Sequence, residues 1–594
     1  MRTPDVPLAL MSDAAGEDDR EAQARAAAQI FDSSLNAAAA RLGTGLSPIS
    51  LALAWTDWAL HLATQPAQAA QLASQAQRGA LRSWSAAVST NERVGNGDPR
   101  FADPGWQAWP WRPWVDTYHA AESWWRDAAD LRGMTEHHRT MTRFVAHQWL
   151  DMLSPSNLGF ANPEVLRRTG ERLGGNLVDG AANALDAWRG RHGLAPLRSS
   201  ERRFEPGVDV AITPGKVVHR NHLSELIQYL PMTATVQAEP VFIVPSWIMK
   251  YYILDLSPHN SLVKWLVDQG HTVFILSWRN PDESDALLGM NDYLEQGIFD
   301  NLRAIKHLVP DQAVHACGYC LGGSLLSVAA AALAGADDAR AAPLPPLKTV
   351  SLLAAETDFS EPGEMGVLID EAQVTMLEDM MAERGFLSGQ QMAGSFTYLH
   401  SRELFWSHLL REFWLGEPDH PNDLMAWNAD VTRMPAVMHS EYLRRCYLRN
   451  EIAQGRFPVD GEPVSLSNIR QPMFVVGTEN DHVSPWTSVY KIQRLTDTEV
   501  CFVLASGGHN AGIVSELGHP NRHYALLSRT ADDSVLDPMH WVASAPRHDG
   551  SWWPAWHDWL LGHGSGHTVK ARTPAAADVL GDAPGEFVHV RYQD

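Results

Sequence analysis

An apolar run at residues 314–318 breaks into Gly318-Tyr319-Cys320-Leu321-Gly322-Gly323, and an alanine-rich stretch follows at once. Few local patterns restrict a fold so narrowly. A strand that becomes a helix within one or two residues must bend sharply. Side chains at the bend would strike neighbouring backbone, so glycine is needed on both sides. The bend presents one residue, Cys320, at the start of the helix. Unpaired amides and the helix dipole there favour a thiolate and a developing oxyanion. The pattern predicts a nucleophile elbow with cysteine in the nucleophile's place. Cysteine at that point directs attention to acyl transfer through a thioester.

The surrounding sequence supplies the rest of a sheet. Apolar, β-branched runs recur at 241–244, 272–276, 314–318, 349–353, 473–476 and 500–504, with helical stretches between most of them. Continuous apolar strands alternating with helices predict a parallel sheet covered on both faces. Short strands are also expected at 208–212 and 216–220. Residues 1–22 are acidic and polar and are expected to be disordered. Residues 23–203 read as an all-α unit that includes a tryptophan-rich stretch from Trp106 to Trp125, expected to be an aromatic contact surface between helices. The catalytic core is then expected in two parts, 204–356 and 446–594. The Met- and aromatic-rich segment 357–445 between them reads as a largely helical cap. The Gly-, Ala- and Pro-rich tail at 562–585 is expected to be loosely packed.

An elbow needs a base, and the base needs an acid to orient it. The run ending at Val476 leads into Gly477-Thr478-Glu479-Asn480-Asp481, and the run ending at Leu504 leads into Ser506-Gly507-Gly508-His509. Nucleophile, acid and histidine thus follow three expected strands in the chain order of an α/β-hydrolase. Cys320 is read as nucleophile, His509 as base and later acid, and Asp481 as the carboxylate serving His509. The oxyanion hole is expected to combine the backbone amide of Leu321 with that of Trp247, in the loop after the 241–244 strand. Each residue also has a plainer reading. A free cysteine is commonly a small buried apolar group, and a loop histidine or aspartate can be surface or turn chemistry.

The net charge of −23 argues against general binding to nucleic acid or to an anionic membrane. Four cysteines in 594 residues are too few for a disulfide framework and suit a reducing compartment. Cys317 and Cys320 form a Cys-x-x-Cys pair, but Cys317 falls within the expected strand and no second pair supports a zinc site. No metal and no cofactor is expected. Residues 1–11 show no basic region followed by a long apolar core, so no signal peptide is expected, and no apolar stretch is long enough for a membrane helix.

With these residues in place the chain resembles the polyhydroxyalkanoate (poly-3-hydroxybutyrate) synthases, most closely the single-subunit class I or related long-chain forms. The resemblance is carried by Arg100-Phe101-Ala102-Asp103-Pro104, Ser154-Pro155-Ser156-Asn157, Tyr251-Tyr252-Ile253-Leu254-Asp255-Leu256, Ser277-Trp278-Arg279-Asn280-Pro281-Asp282, the cysteine elbow, Asp481-His482-Val483-Ser484-Pro485-Trp486 and Gly508-His509. It covers nearly the whole chain. The segment from about 31 to 75 resembles an extra N-terminal piece present in only some members.

The resemblance implies (R)-3-hydroxyacyl coenzyme A substrates, above all 3-hydroxybutyryl-CoA, with CoA as the leaving group. The product implied is a polyester, built through a covalent acyl-cysteine. It also implies a homodimer joined through the cap, and a cytoplasmic location on polyester granules. Two other readings stay open from sequence: a cysteine-dependent hydrolase of the same fold, such as a thioesterase or depolymerase, and a non-catalytic granule-associated homologue. Chain-length preference, and whether Asp481 or His509 activates the attacking hydroxyl, are also open at this level.

Overall fold

A computed structural model describes residues 46–86, 97–192, 194, 197–198, 204–336, 342–392, 394, 401–417 and 422–591, with isolated positions 32 and 36. The expected acidic, disordered stretch 1–22 lies outside the described residues.

The apolar runs assemble into one sheet. Its strands are β1 (Gly215–Arg220), β2 (Ser224–Tyr229), β3 (Val241–Val244), β4 (Val273–Trp278), β5 (Val314–Tyr319), β6 (Leu347–Leu353), β7 (Met473–Thr478), β8 (Val500–Ala505), β9 (His523–Arg529), β10 (Arg547–Asp549) and β11 (Gly581–Asp582). The spatial order is β10-β9-β8-β7-β6-β5-β3-β4-β2-β1-β11. The six central strands, β8 to β4 in that order, are parallel. Every residue of β3, β4, β5, β7 and β8 is buried, as strands covered on both faces must be. Antiparallel pairs complete both flanks.

Two expectations fail here for identifiable reasons. Residues 208–212 form no strand. Gly207 and Ala211 both take positive φ, 83° and 54°, which breaks an extended run, and only an isolated bridge joins Pro206 to Val210. The tail is not loose. Thr568–Lys570 pairs with Thr235–Gln237, and β11 pairs with β1, so exposed strand edges recruit the tail's backbone groups.

The first third is helical, as expected. Pro48–Thr64 is capped by Ser47, Glu136–Met152 by Thr135, and Pro163–Glu171 by Asn162, each side chain accepting a backbone N–H of the first turn. The tryptophans do join helices. Trp58 Nε1 donates to Ala128 O at 2.9 Å, Trp124 Nε1 donates to Leu72 O at 3.0 Å, and Trp55 meets Trp58 and Trp125 edge-on.

The segment between β6 and β7 carries the helices Glu371–Met381, Asp423–Asn428 and Ala436–Tyr442, and a small ladder of Phe386–Leu387 with Met434–Pro435. The helix Ala436–Tyr442 runs on into π-helical turns at Leu443–Leu448, a rare form that often marks functional sites. The N-terminal helices hold this segment from outside. Ser47 N donates to Gln373 Oε1 at 2.7 Å, Ser50 Oγ to Asp370 Oδ1 at 2.7 Å, and Asn176 Nδ2 to Trp414 O at 2.8 Å. No described helix is long and apolar enough to cross a membrane.

Candidate active site

The parallel register brings four strand ends together. Tyr319 of β5 pairs with Leu353 of β6, Leu353 with Val476 of β7, and Thr478 of β7 with Ala505 of β8. The residues just beyond those ends are Cys320, Glu356, Asp481 and His509. Ligands bind at this carboxyl edge in open α/β sheets.

Cys320 stands between β5 and the helix Leu321–Ala334 with φ 52° and ψ −128°. A non-glycine residue in this region carries strain of order 1–3 kcal/mol, held by its surroundings. Those surroundings are dense. Cys320 N donates to Leu353 O at 2.9 Å. A Cβ on Gly322 would lie 2.3 Å from Val244 O and 2.4 Å from Pro245 O, and one on Gly318 would lie 2.4 Å from Gly323 Cα. The glycines expected from sequence are therefore demanded by backbone approaching backbone. Leu321 is the first residue of the helix, so its N–H has no intrahelical acceptor.

His509 Nδ1 lies 2.8 Å from Asp481 Oδ2, and the Cys320 side chain is close enough to the His509 ring to act on its charge. Assigning the Nδ1 proton to the aspartate leaves Nε2 for the thiol. Asp481 accepts three further bonds, from Thr478 Oγ1 (3.0 Å), Val483 N (2.9 Å) and Ser484 N (2.8 Å). Burial alone would raise its pKa, but His509 and these donors outweigh burial and hold the carboxyl below its ordinary value. Burial opposes charge on His509 too, yet Asp481 and Cys320 prevail and raise its pKa well above the ordinary 6.5, which makes the ring a stronger proton acceptor than a free imidazole.

The loops carrying acid and base are laced to each other. Glu479 N donates to Ala505 O and Asn480 N to Gly507 O, both at 2.9 Å. Trp552 Nε1 and Trp553 Nε1 then pin the chain after His509 through Gly512 O (3.0 Å) and Ile513 O (3.1 Å). Tyr319 OH donates to Asn510 Oδ1 at 2.7 Å. These supports lie far from His509 in sequence and carry no motif, so sequence reading missed them.

A cavity of about 90 Å³ adjoins Cys320. Its walls are mostly apolar and come largely from the cap, among them Phe359, Leu368, Ile369, Tyr442 and Leu443. Cys320 is only 8% exposed. Glu356 lies on the same wall and is missing from the sequence reading. Its one signal there was a carboxylate three residues beyond an expected strand. Burial, reinforced by Asp481 and Cys320, raises its pKa well above the usual carboxylate range. Of the two residues expected at the oxyanion hole, Leu321 lines the cavity. The Trp247 ring is buried against Tyr293 and Tyr442, and its carbonyl accepts from Thr432 Oγ1 at 2.6 Å. The neighbouring Ile248 reaches the cavity wall.

A parallel sheet whose strand–Cys–helix turn meets a histidine and a carboxylate at neighbouring strand ends defines an α/β-hydrolase-fold protein with cysteine at the elbow. The alpha/beta hydrolase fold family accordingly matches residues 239–516. The chain belongs, more narrowly, to the poly(3-hydroxyalkanoate) polymerase family. The poly-beta-hydroxybutyrate polymerase (PhaC) N-terminus family matches residues 97–266, and the poly-beta-hydroxybutyrate polymerase N terminal family matches residues 26–68. The chain is 38% identical over 499 residues to a poly(3-hydroxyalkanoate) polymerase of Methylorubrum extorquens, covering 83% of this chain and 81% of the relative. Identity to the polymerase subunit PhaC of Rhizobium etli is 36%, covering 83% and 77%. Identity to that of Cupriavidus necator is 34%, covering 83% of each.

Proposed function

We propose that this chain polymerises (R)-3-hydroxyacyl-CoA thioesters, 3-hydroxybutyryl-CoA first among them, into polyester with release of CoA. The names of its relatives support the acyltransferase class and the thioester substrates. The single observation that supports the chemistry is the contact chain Cys320–His509–Asp481 at the elbow, beside an apolar cavity.

In this reading His509 Nε2 takes the Cys320 proton, and the sulfur attacks the thioester carbonyl. The amides of Leu321 and of Trp247 in the 245–248 loop receive the oxyanion. His509 returns the proton to the departing CoA sulfur, and the acyl group stays on Cys320 as a thioester. The hydroxyl of a second monomer, or of the growing chain, then attacks that thioester. His509 accepts the hydroxyl proton and passes it to the Cys320 sulfur as the ester forms. Asp481 keeps the ring oriented and offsets its charge throughout. The apolar cap wall excludes water, which would otherwise give a free hydroxy acid. With Cys320 only 8% exposed, the cap must shift to admit a CoA thioester. We also divide the chain functionally into a helical unit up to residue 203, a core interrupted by the cap at 357–445, and a closing core segment.

The test supplies purified protein with (R)-3-hydroxybutyryl-CoA, follows thiol release, and sizes the extracted product, with Cys320→Ala in parallel. Thiol release with high-mass polyester, both lost in the variant, is the expected result. Thiol release with only free hydroxy acid would make the protein a hydrolase. Full turnover by Cys320→Ala would remove Cys320 from the chemistry.

A further inference from the structure

Several polar groups on the cavity wall next to Cys320 already have partners. Ser324 Oγ is spent on the Glu356 carbonyl, and Gln373 Oε1 accepts from Ser47 N. Among the described residues, two atoms of cavity-lining side chains are buried without a hydrogen-bond partner, Glu356 Oε1 and His439 Nδ1. They are not equivalent. Glu356 sits beyond the end of β6, whose Leu353 carbonyl receives the Cys320 amide, and its carboxyl interacts electrostatically with Cys320, Asp481 and His509. His439 projects from the cap helix and is perturbed by burial alone. The unpartnered carboxyl is therefore the one beside the reacting sulfur.

A buried polar group with no partner is costly and calls for an explanation. A ligand that supplies the partner is one. On the synthase reading, the acyl group carried by Cys320 bears a hydroxyl two carbons beyond the carbonyl. Inside an apolar cavity that hydroxyl has the same need as Glu356. We propose that Glu356 hydrogen-bonds the 3-hydroxyl of the acyl group entering on Cys320, and so selects 3-hydroxyacyl over unsubstituted acyl thioesters. A carboxyl oxygen accepts from a hydroxyl whether or not the group is protonated, and a protonated one can also donate, so Glu356 can serve the hydroxyl in either state. A site built around such a bond discriminates strongly against the analogue that lacks the group. Glu356 is a specificity residue in this scheme; the proton transfers remain with His509.

The inference rests on the synthase reading, and one experiment separates the two. Single-turnover CoA release is measured with (R)-3-hydroxybutyryl-CoA and with butyryl-CoA, for the parent protein, Glu356→Leu and Glu356→Gln. The ratio of the two second-order constants is the readout. The parent is expected to favour the hydroxylated thioester, Glu356→Leu to lose at least tenfold of that ratio, and Glu356→Gln to keep most of it. Should Glu356→Leu fail to fold, Glu356→Met takes its place, with the same tenfold loss expected. An unchanged ratio in a folded Leu or Met variant would overturn the inference while leaving the synthase reading intact. No CoA release from the parent with either thioester would sink the synthase reading, and this inference with it.

Discussion

His509 Nδ1 and Asp481 Oδ2 lie 2.8 Å apart, at the tips of two loops whose backbones are hydrogen-bonded to each other. The pair does not depend on two independently wandering loops. Its separation is set by the parallel register of β7 and β8, Thr478 against Ala505. Replacing Asp481 by Asn should preserve that framework while removing the charge and the tautomer preference. The expected cost is about 10³- to 10⁴-fold in turnover, measured as thiol release at saturating thioester. A loss below tenfold would mean that Asp481 does not serve His509.

The same pair sets a pH dependence of stability. Burial resists charge on His509, but Asp481 and Cys320 raise its pKa well above the ordinary 6.5. A raised pKa contributes stability that is fully present below the unfolded value and is lost as pH rises through the folded one. Thermal unfolding followed upward from pH 6.5 should therefore fall more steeply in the parent than in His509→Gln. Asp481 acts with the opposite sign. Its contribution is present above the ordinary 3.8 and is lost as pH falls through the lowered value. Parallel curves for parent and variant would refute the His509 assignment.

The elbow tolerates no side chain at Gly322. A Cβ there meets the carbonyl oxygens of Val244 and Pro245 at 2.3 and 2.4 Å, and backbone cannot rotate away as a side chain can. Gly322→Ala should destabilise the fold by on the order of 1–3 kcal/mol in denaturant unfolding, and should also slow acylation because Cys320 moves. Wild-type stability would show that the β3–elbow contact is looser than described.

Cys317 and Cys320 are three residues apart and should behave differently. Cys317 lies inside β5, and burial alone pushes its thiol far up. Cys317→Ala should keep acylation by a thioester probe within about threefold and lose roughly 1–2 kcal/mol of stability through the small cavity. Intact-mass analysis after the probe should find the acyl group on Cys320 alone. Acyl label on Cys317 would contradict the elbow assignment.

In the helical unit, Arg100 gathers three carboxylates. Its guanidinium reaches Asp98 (2.7 Å), Glu122 (2.9 Å), Asp151 (2.8 Å) and the Tyr118 hydroxyl (2.6 Å). Burial opposes ionisation of Glu122, but hydrogen bonds from His119, Arg100 and Tyr118 bring its pKa down to about 2. Arg100→Ala strands these anions and should cost about 3–5 kcal/mol in thermal or denaturant unfolding. Arg100→Lys should recover only part, because a single ammonium cannot reproduce the fork. An unaffected melting temperature in Arg100→Ala would show that solvent already screens the cluster.

Several features were legible without coordinates because they are local. Gly318, Gly322 and Gly323 around Cys320 specify a strained turn, since only glycine fits where backbone meets backbone. The apolar runs at 241–244, 314–318, 473–476 and 500–504 announce strands buried on both faces, since water tolerates no such run at a surface. Asp481 and His509 could be nominated because a sheet of this kind places chemistry just past its strand ends. The failures were local reading applied to non-local causes. Residues 208–212 look β-branched, but the positive φ of Ala211 is imposed by the fold around it. The tail beyond 562 looks loose, but free strand edges elsewhere in the chain order it.

The sequence by itself determined that this chain has a cysteine elbow on a parallel sheet, an acid and a histidine in the order that such an elbow needs, and an apolar insertion before them. Only the tertiary structure decided that β5, β6, β7 and β8 are neighbours, because strand order follows from packing and not from chain order. That adjacency brings His509 and Asp481 into contact on the edge of the sheet that also carries Cys320. It also buries Glu356, an ordinary acid in the sequence, on the cavity wall beside Cys320, where burial, which acts only once the strands are assembled, raises its pKa.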